Sequence, residues 1–266
     1  MHPLETIEVR KGSIGIHWFG QNSFGIKDPA GTIFMVDPTF PRVRPPEEFI
    51  HSQPPVDENE IRTDFVLLTH DHGDHTCPET LSRIHSACPN ACYYGPSASI
   101  ARLRGLGIPG KQLTVITAGD TQPAGANFIH TLSSKPAAGI PEDGIPAPDV
   151  EHLGFVLEIG TVRVYISGDL VHSFSRHAAL IDPVMALKPD IGLLTTHPTE
   201  GEFPDFQGSV EMAVKIGLKA AVPAHYGCFV KRTFDPSVWA AGFPRPGPRP
   251  LIIGYNQSMV YSPTTR

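Results

Sequence analysis

Thr69-His70-Asp71-His72-Gly73-Asp74-His75 places three imidazoles and two carboxylates on seven consecutive residues. Imidazole is the commonest protein ligand for first-row metals at neutral pH, and carboxylate suits harder ions. His70 and His72 are two residues apart, so in an extended segment both point to one side. Asp74 and His75 follow Gly73, where the chain can turn toward a second ion. Such a loop can hold two metals about 3.5–4 Å apart, the separation used to activate water. A solvated polar loop is the plainer alternative. This density of histidine directly after an apolar run argues for metal.

The elements that must position these residues are short and well punctuated. Phe65-Val66-Leu67-Leu68 is a continuous apolar run, the mark of a strand buried on both faces. Ile14, Ile16 and Trp18 alternate with Gly15 and His17, which predicts a half-buried strand. A turn at Gly20-Gln21-Asn22 leads to strands over 24–26 and 32–36, and the Pro-rich stretch 38–55 reads as a surface loop. Helices are expected over 78–87 and 97–106, the second closed by Gly107, with strands over 113–117 and 127–132. Residues 134–149 form a long Pro/Gly/Ala loop, a lid or rim. Runs 155–159 and 162–167 flank Gly160-Thr161 and predict a hairpin. A strand over 191–195, a serine-capped helix over 209–216 and a short strand over 220–222 follow. Strands come in two clusters, each followed by helices, which predicts two sheets with helices outside, in one domain spanning 1–266.

Composition narrows the possibilities. In 266 residues, Lys plus Arg is 21 and Asp plus Glu is 27, a net charge of −6 that argues against a broad nucleic-acid-binding surface. Gly and Pro make up about a fifth of the chain, which excludes a coiled coil. No window approaches the ~18 apolar residues of a membrane helix. The N-terminus shows no charged start followed by an apolar stretch, and the four cysteines form no C-x-x-C pair, so a cytoplasmic protein with reduced thiols is expected. The expected partner is a small-molecule substrate, with no membrane; the oligomeric state, including a homo-oligomer, is open.

The motif His70-x-His72-x-Asp74-His75 after an apolar strand resembles the signature of the metallo-beta-lactamase superfamily. Val164-Tyr165-Ile166-Ser167-Gly168-Asp169 resembles its strand-Ser/Thr-Gly-Asp element, and Val222-Pro223-Ala224-His225-Tyr226 the element supplying its last histidine. Trp18-Phe19-Gly20-Gln21-Asn22-Ser23-Phe24 and Tyr94-Gly95-Pro96-Ser97 are similar to the branch that contains L-ascorbate-6-phosphate lactonase. The resemblance implies an α/β fold, a four-layer αββα sandwich of two mixed β-sheets flanked by helices. It implies one or two divalent ions, zinc or manganese, with iron as a further option. His70 and His72 would hold the first ion, and Asp74, His75 and His225 the second. Asp169 would bridge them, and Asp74, His75 and Asp169 carry the catalytic roles. A metal-bound hydroxide would attack the scissile carbonyl of an ester or lactone, and Asp74 would orient it.

One position departs from the family pattern. The first ion normally takes a further ligand from the loop after a central strand, and that loop here reads Ser133-Ser134-Lys135-Pro136. Three readings stand side by side. A histidine from elsewhere fills the gap, with His152 the first candidate and His130, His172 and His197 behind it; or the protein works with one ion; or Lys135 puts an ammonium there, which repels a cation and holds an anionic substrate group. A metal-dependent hydrolase of a small ester or lactone is the leading expectation. A phosphodiesterase and a non-catalytic metal-binding or sensing protein are the alternatives.

Overall fold

In the computed structural model, which describes residues 1–199 and 201–263, the chain divides into two compact units. The first comprises Met1–Ile116, Tyr226–Thr233 and Ile253–Ser262; the second comprises Thr117–His225 and Phe234–Ile252. Each contains one seven-stranded mixed sheet with helices, as expected from the two clusters of strands.

The first sheet contains β1 (Ile14–Trp18), β2 (Phe24–Lys27), β3 (Ile33–Val36), β4 (Phe65–Leu67), β5 (Cys92–Gly95), β6 (Leu113–Val115) and the chain's last strand, β14 (Gln257–Tyr261). Its order is β14-β1-β2-β3-β4-β5-β6. Pairing is antiparallel from β14 to β3 and parallel from β3 to β6. Helices α1 (Pro3–Thr6), α2 (Pro78–Ala87) and α3 (Ser97–Gly105) belong to this unit. Pro78 opens α2, where its missing N–H is no loss. The apolar face of α2, Leu81 and Ile84, joins Val66, Leu68 and Tyr93 in one buried cluster.

The second sheet has order β13-β12-β11-β10-β9-β8-β7. Its strands are β7 (Thr121–Ala124), β8 (Asn127–Ser133), β9 (Leu153–Ile159), β10 (Val162–Ile166), β11 (Ile191–Thr195), β12 (Ala220–Ala224) and β13 (Arg249–Pro250). Strands β7 to β10 pair antiparallel, and β10 to β13 parallel. The β9–β10 hairpin turns at Gly160-Thr161, as predicted. Helices α4 (Ala178–Ala186), α5 (Phe206–Ile216) and α6 (Pro236–Ala241) complete the unit. Its core joins Val156, Tyr165 and Leu194 to Ile181, Met212 and the fully buried Trp239.

Several details differ from the sequence expectation. The helix expected over 209–216 starts at Phe206, and its cap is Asp205, whose carboxylate accepts from Gly208 N at 2.7 Å. Ser209 instead accepts from the buried Trp239 indole at 3.2 Å. The stretch 38–55 is a loop, but it is not confined to the surface: Phe40, Arg44 and Phe49 are buried. β5 and β14 escape the sequence reading because neither has a clean period, and α4 because Pro183 lies inside it.

β1 is buried along its whole length rather than on one face. His17 is tolerated there because both ring nitrogens are engaged, Nδ1 with Ser258 Oγ at 2.7 Å and Nε2 with Asn256 Oδ1 at 2.9 Å. The amide oxygen accepts only, so Nε2 carries a proton. Burial and the nearby His2 push its pKa down to about 4, against the pull of the Asn256 bond. A depressed pKa means the unfolded chain takes up the proton first as pH falls. Stability from this residue is therefore complete above about pH 6.5 and falls between there and about pH 4, by roughly 3 kcal/mol in all. Urea unfolding of metal-free protein at pH 7.5 and 4.5 checks this: His17→Gln should shrink the difference between the two pH values by about 2 kcal/mol.

Candidate metal centre

Chemistry-bearing residues gather at the carboxyl ends of parallel strands, where open α/β sheets place their sites. In the first unit, Asp37 follows β3 and the histidine loop follows β4. In the second, Ser167-Gly168-Asp169 follows β10 and His225 follows β12.

In the first unit the loop folds on itself. His75 N and Thr76 N donate to the His72 carbonyl at 3.0 and 2.7 Å, and the Thr76 hydroxyl donates to the His70 carbonyl at 2.7 Å. These bonds draw the imidazoles together. The His70 and His75 ring centroids are 4.0 Å apart, and those of His70 and His72 are 4.6 Å apart. His75 Nε2 lies 3.7 Å from Asp74 Oδ2. Asp71, the remaining carboxylate, is occupied elsewhere: Arg102 of α3 grips it with two bonds of 2.7 Å. It braces the loop.

Asp37 is a positioning residue that sequence reasoning missed. Its fully buried carboxylate accepts from Thr69 N at 2.8 Å, the Thr69 hydroxyl at 2.6 Å, Asn22 Nδ2 at 2.7 Å and His75 Nδ1 at 2.8 Å. An ionised carboxylate only accepts, so Nδ1 of His75 carries the proton and Nε2 carries the lone pair. That tautomer and a carboxylate behind the ring are the usual preparation of a metal-ligating histidine. Gln21 is the second residue missed. Its side chain donates to Asp74 Oδ2 at 3.0 Å, and its backbone N–H donates to the Tyr226 carbonyl at 2.8 Å. The available signal was a polar residue at a strand end: Asp37 follows an apolar run just as Asp169 does.

In the second unit, Asp169 follows Gly168, whose φ of +56° suits glycine and turns the chain sharply after β10. Ser167 fixes that turn: its N–H donates to the Leu193 carbonyl, and its hydroxyl accepts from Thr195 N at 2.9 Å. Asp169 Oδ1 lies 3.3 Å from His225 Nε2. His225 has φ +68°, in the left-handed region that is uncommon for any residue but glycine. Asp37 and Gln21 share that strained region, at +41° and +52°. Backbone strain of this kind is held at functional sites by the surrounding structure.

The loop lacking a ligand is built for structure. The Ser134 hydroxyl donates to the Ser167 carbonyl at 2.6 Å, and Ser133 donates to the Lys135 carbonyl. The Lys135 ammonium pairs with Glu202 at 3.0 Å. His152 is buried, and its carbonyl accepts from Ser134 N at 3.0 Å. It lines a cavity of about 460 Å³ with Lys135, Ser133 and three residues of the long loop, Ala137, Pro148 and Asp149. That loop is pinned by Asp143, whose carboxylate meets His177 Nε2 at 2.6 Å. The other histidines have separate settings. His130 meets the Thr121 hydroxyl, His197 meets Thr199, and His172 lines a cavity of about 130 Å³ beside Asp205.

Neutral imidazoles with carboxylates suit zinc, manganese or iron, and the chain carries His/Asp clusters able to hold a metal ion. No helix among the described residues is long and apolar enough to cross a membrane.

A metal-dependent hydrolase of Methanobrevibacter smithii is 28% identical over 232 residues, covering 85% of this chain and 87% of that protein. A probable L-ascorbate-6-phosphate lactonase of Salmonella heidelberg is 23% identical over 274 residues, covering 88% and 75%. An isothiocyanate hydrolase from Delia radicum gut bacteria superposes with a TM-score of 0.72 at 17% identity, covering 94% of this chain and all of that one. The metallo hydrolase Igni18 of Ignicoccus hospitalis gives 0.70 at 17% identity, covering 94% and 99%. Both structural matches speak to the fold. Residues 15–223 match the model of the beta-lactamase superfamily domain, and the chain belongs to that superfamily.

Proposed function

We propose that this chain is a metal-dependent hydrolase that cleaves a small-molecule ester or lactone. The observation that carries the proposal is the buried Asp37–His75 pair, which fixes the tautomer of a ligand histidine within a cluster of three imidazoles. His70 and His72 would hold one ion, with His152 in place of the ligand that Ser133-Ser134-Lys135 lacks. Asp74, His75 and His225 would hold the other, with Asp169 as a further ligand.

Divalent ions bound there supply a hydroxide nucleophile near neutral pH and a Lewis acid for the scissile carbonyl. The chain's own residues do the rest. Asp37 holds His75 in its ligating tautomer. Gln21 donates to one oxygen of Asp74 and so aims the carboxylate, whose role is to orient the attacking oxygen and take its proton. Lys135, Ser133 and His152 line the second unit's cavity of about 460 Å³, the seat this reading gives to a small substrate. The superfamily membership and the names of the relatives favour a hydrolase, and the lactonase relative favours a cyclic ester.

A panel of lactones, carboxylic esters and phosphodiesters tests the reading. Turnover of a lactone or ester is expected, lost on chelation and restored by zinc or manganese. Turnover of phosphodiesters alone would contradict the ester assignment.

A further inference from the structure

The first unit buries a guanidinium that pairs with no carboxylate among the described residues. Arg44 lies in the loop after β3 with 7% of its surface exposed. Its Nε donates to the His51 carbonyl at 2.8 Å, and Nη2 donates to the Cys228 sulfur at 3.5 Å. The guanidinium carbon sits 4.3 Å from the centroid of the Phe49 ring. Nη1 is buried and has no hydrogen-bond partner. Among the described residues none forms an ion pair with it. A charge removed from water without a counter-ion is strongly disfavoured.

The neighbours do not supply the missing charge. Burial, then the Arg44 charge, lowers the His51 pKa and keeps that ring neutral. Burial pushes the Cys228 thiol up, against the pull of Arg44. Burial likewise holds Tyr255 as a phenol, pushed up to about 12. The carboxylate that reaches the cluster is Asp74, which acts on Cys228 and already accepts from Gln21. The Tyr255 ring stacks on His51 with centroids 3.5 Å apart, and its hydroxyl oxygen is also buried without a partner. The cluster thus holds two unmatched polar groups, a charged N–H and a phenol O–H, joined through His51, whose carbonyl accepts from Arg44 and whose ring stacks on Tyr255. Its complement is an anion carrying strong acceptor oxygens.

We propose that Arg44 and Tyr255 form a buried binding site for a small oxyanion, a phosphate or carboxylate group, in the first unit. Two sources share this chemistry: a free anion, and the anionic group of the molecule the enzyme hydrolyses.

Thermal unfolding of the full, metal-loaded chain against phosphate and against acetate, at constant ionic strength, tests the site. A saturable rise in Tm of several degrees is expected for at least one anion, as mass action requires of a ligand that binds the native state. Arg44→Gln should abolish it. Tyr255→Phe, which removes only a hydroxyl, should raise the half-saturating concentration about fivefold or more, and it carries the test if Arg44→Gln fails to fold. The response should persist after chelation. No saturable response, an unchanged response in the variants, or loss of the response along with the metal would each overturn the proposal. Hydrolysis then separates the sources. A selective rise of KM for anionic esters in Tyr255→Phe assigns the site to the substrate's own group; unchanged kinetics assigns it to a free anion.

Discussion

His75→Ala and Asp169→Ala are expected to abolish turnover while the chain remains folded. His75 offers Nε2 because Asp37 holds the proton on Nδ1, and Asp169 follows a glycine turn built to present it. In the proposed centre each is a direct ligand, so its loss should exceed the ~10–100-fold typical of removing a ligand's outer hydrogen-bond partner. Both positions are buried, so circular dichroism and a melting curve must accompany the assay. A folded His75→Ala or Asp169→Ala protein with near-normal activity would remove these residues from the centre.

Asp37→Asn is expected to weaken both the metal centre and the fold. Four donors converge on the Asp37 carboxylate: Asn22 Nδ2, Thr69 N, the Thr69 hydroxyl and His75 Nδ1. An amide keeps the shape but replaces one accepting oxygen with an NH₂ group, so donor would face donor. Oδ2 accepts three of these bonds, so no flip of the amide satisfies them all. Removing the charge from a buried network of this kind should cost about 3–5 kcal/mol of stability. Metal affinity should fall ~10–100-fold as His75 loses its fixed tautomer. Denaturant unfolding and a competition assay with a chromogenic chelator measure the two effects separately. An affinity change without a stability change would mean that Asp37 acts on His75 alone.

The residues with the least ambiguous chemistry were the most legible in the sequence. The His70–His75 loop stood out by composition, and the apolar run before it gave β4 within one residue. The hairpin β9–β10 and helix α2 were readable because their turn and cap residues act locally. What the sequence hid depends on distant partners. Asp37 looks like an ordinary strand-end aspartate until folding brings Asn22, Thr69 and His75 onto it. The burial of Arg44 in a Pro-rich loop depends on Phe49 and on Cys228, 184 residues away. Ser209 looked like a cap because serine often is one. Asp205 holds that position, and Ser209 serves Trp239.

The central claim is that the chain's His/Asp clusters hold catalytic metal with His152 as the replacement ligand, and counting metal tests it most directly. Elemental analysis of protein purified without chelator or His tag should find two ions of zinc, manganese or iron per chain. His152→Ala should lower that to about one, while Lys135→Met leaves it unchanged. Wild-type protein with no bound transition metal, or His152→Ala protein that keeps two ions, would contradict the account.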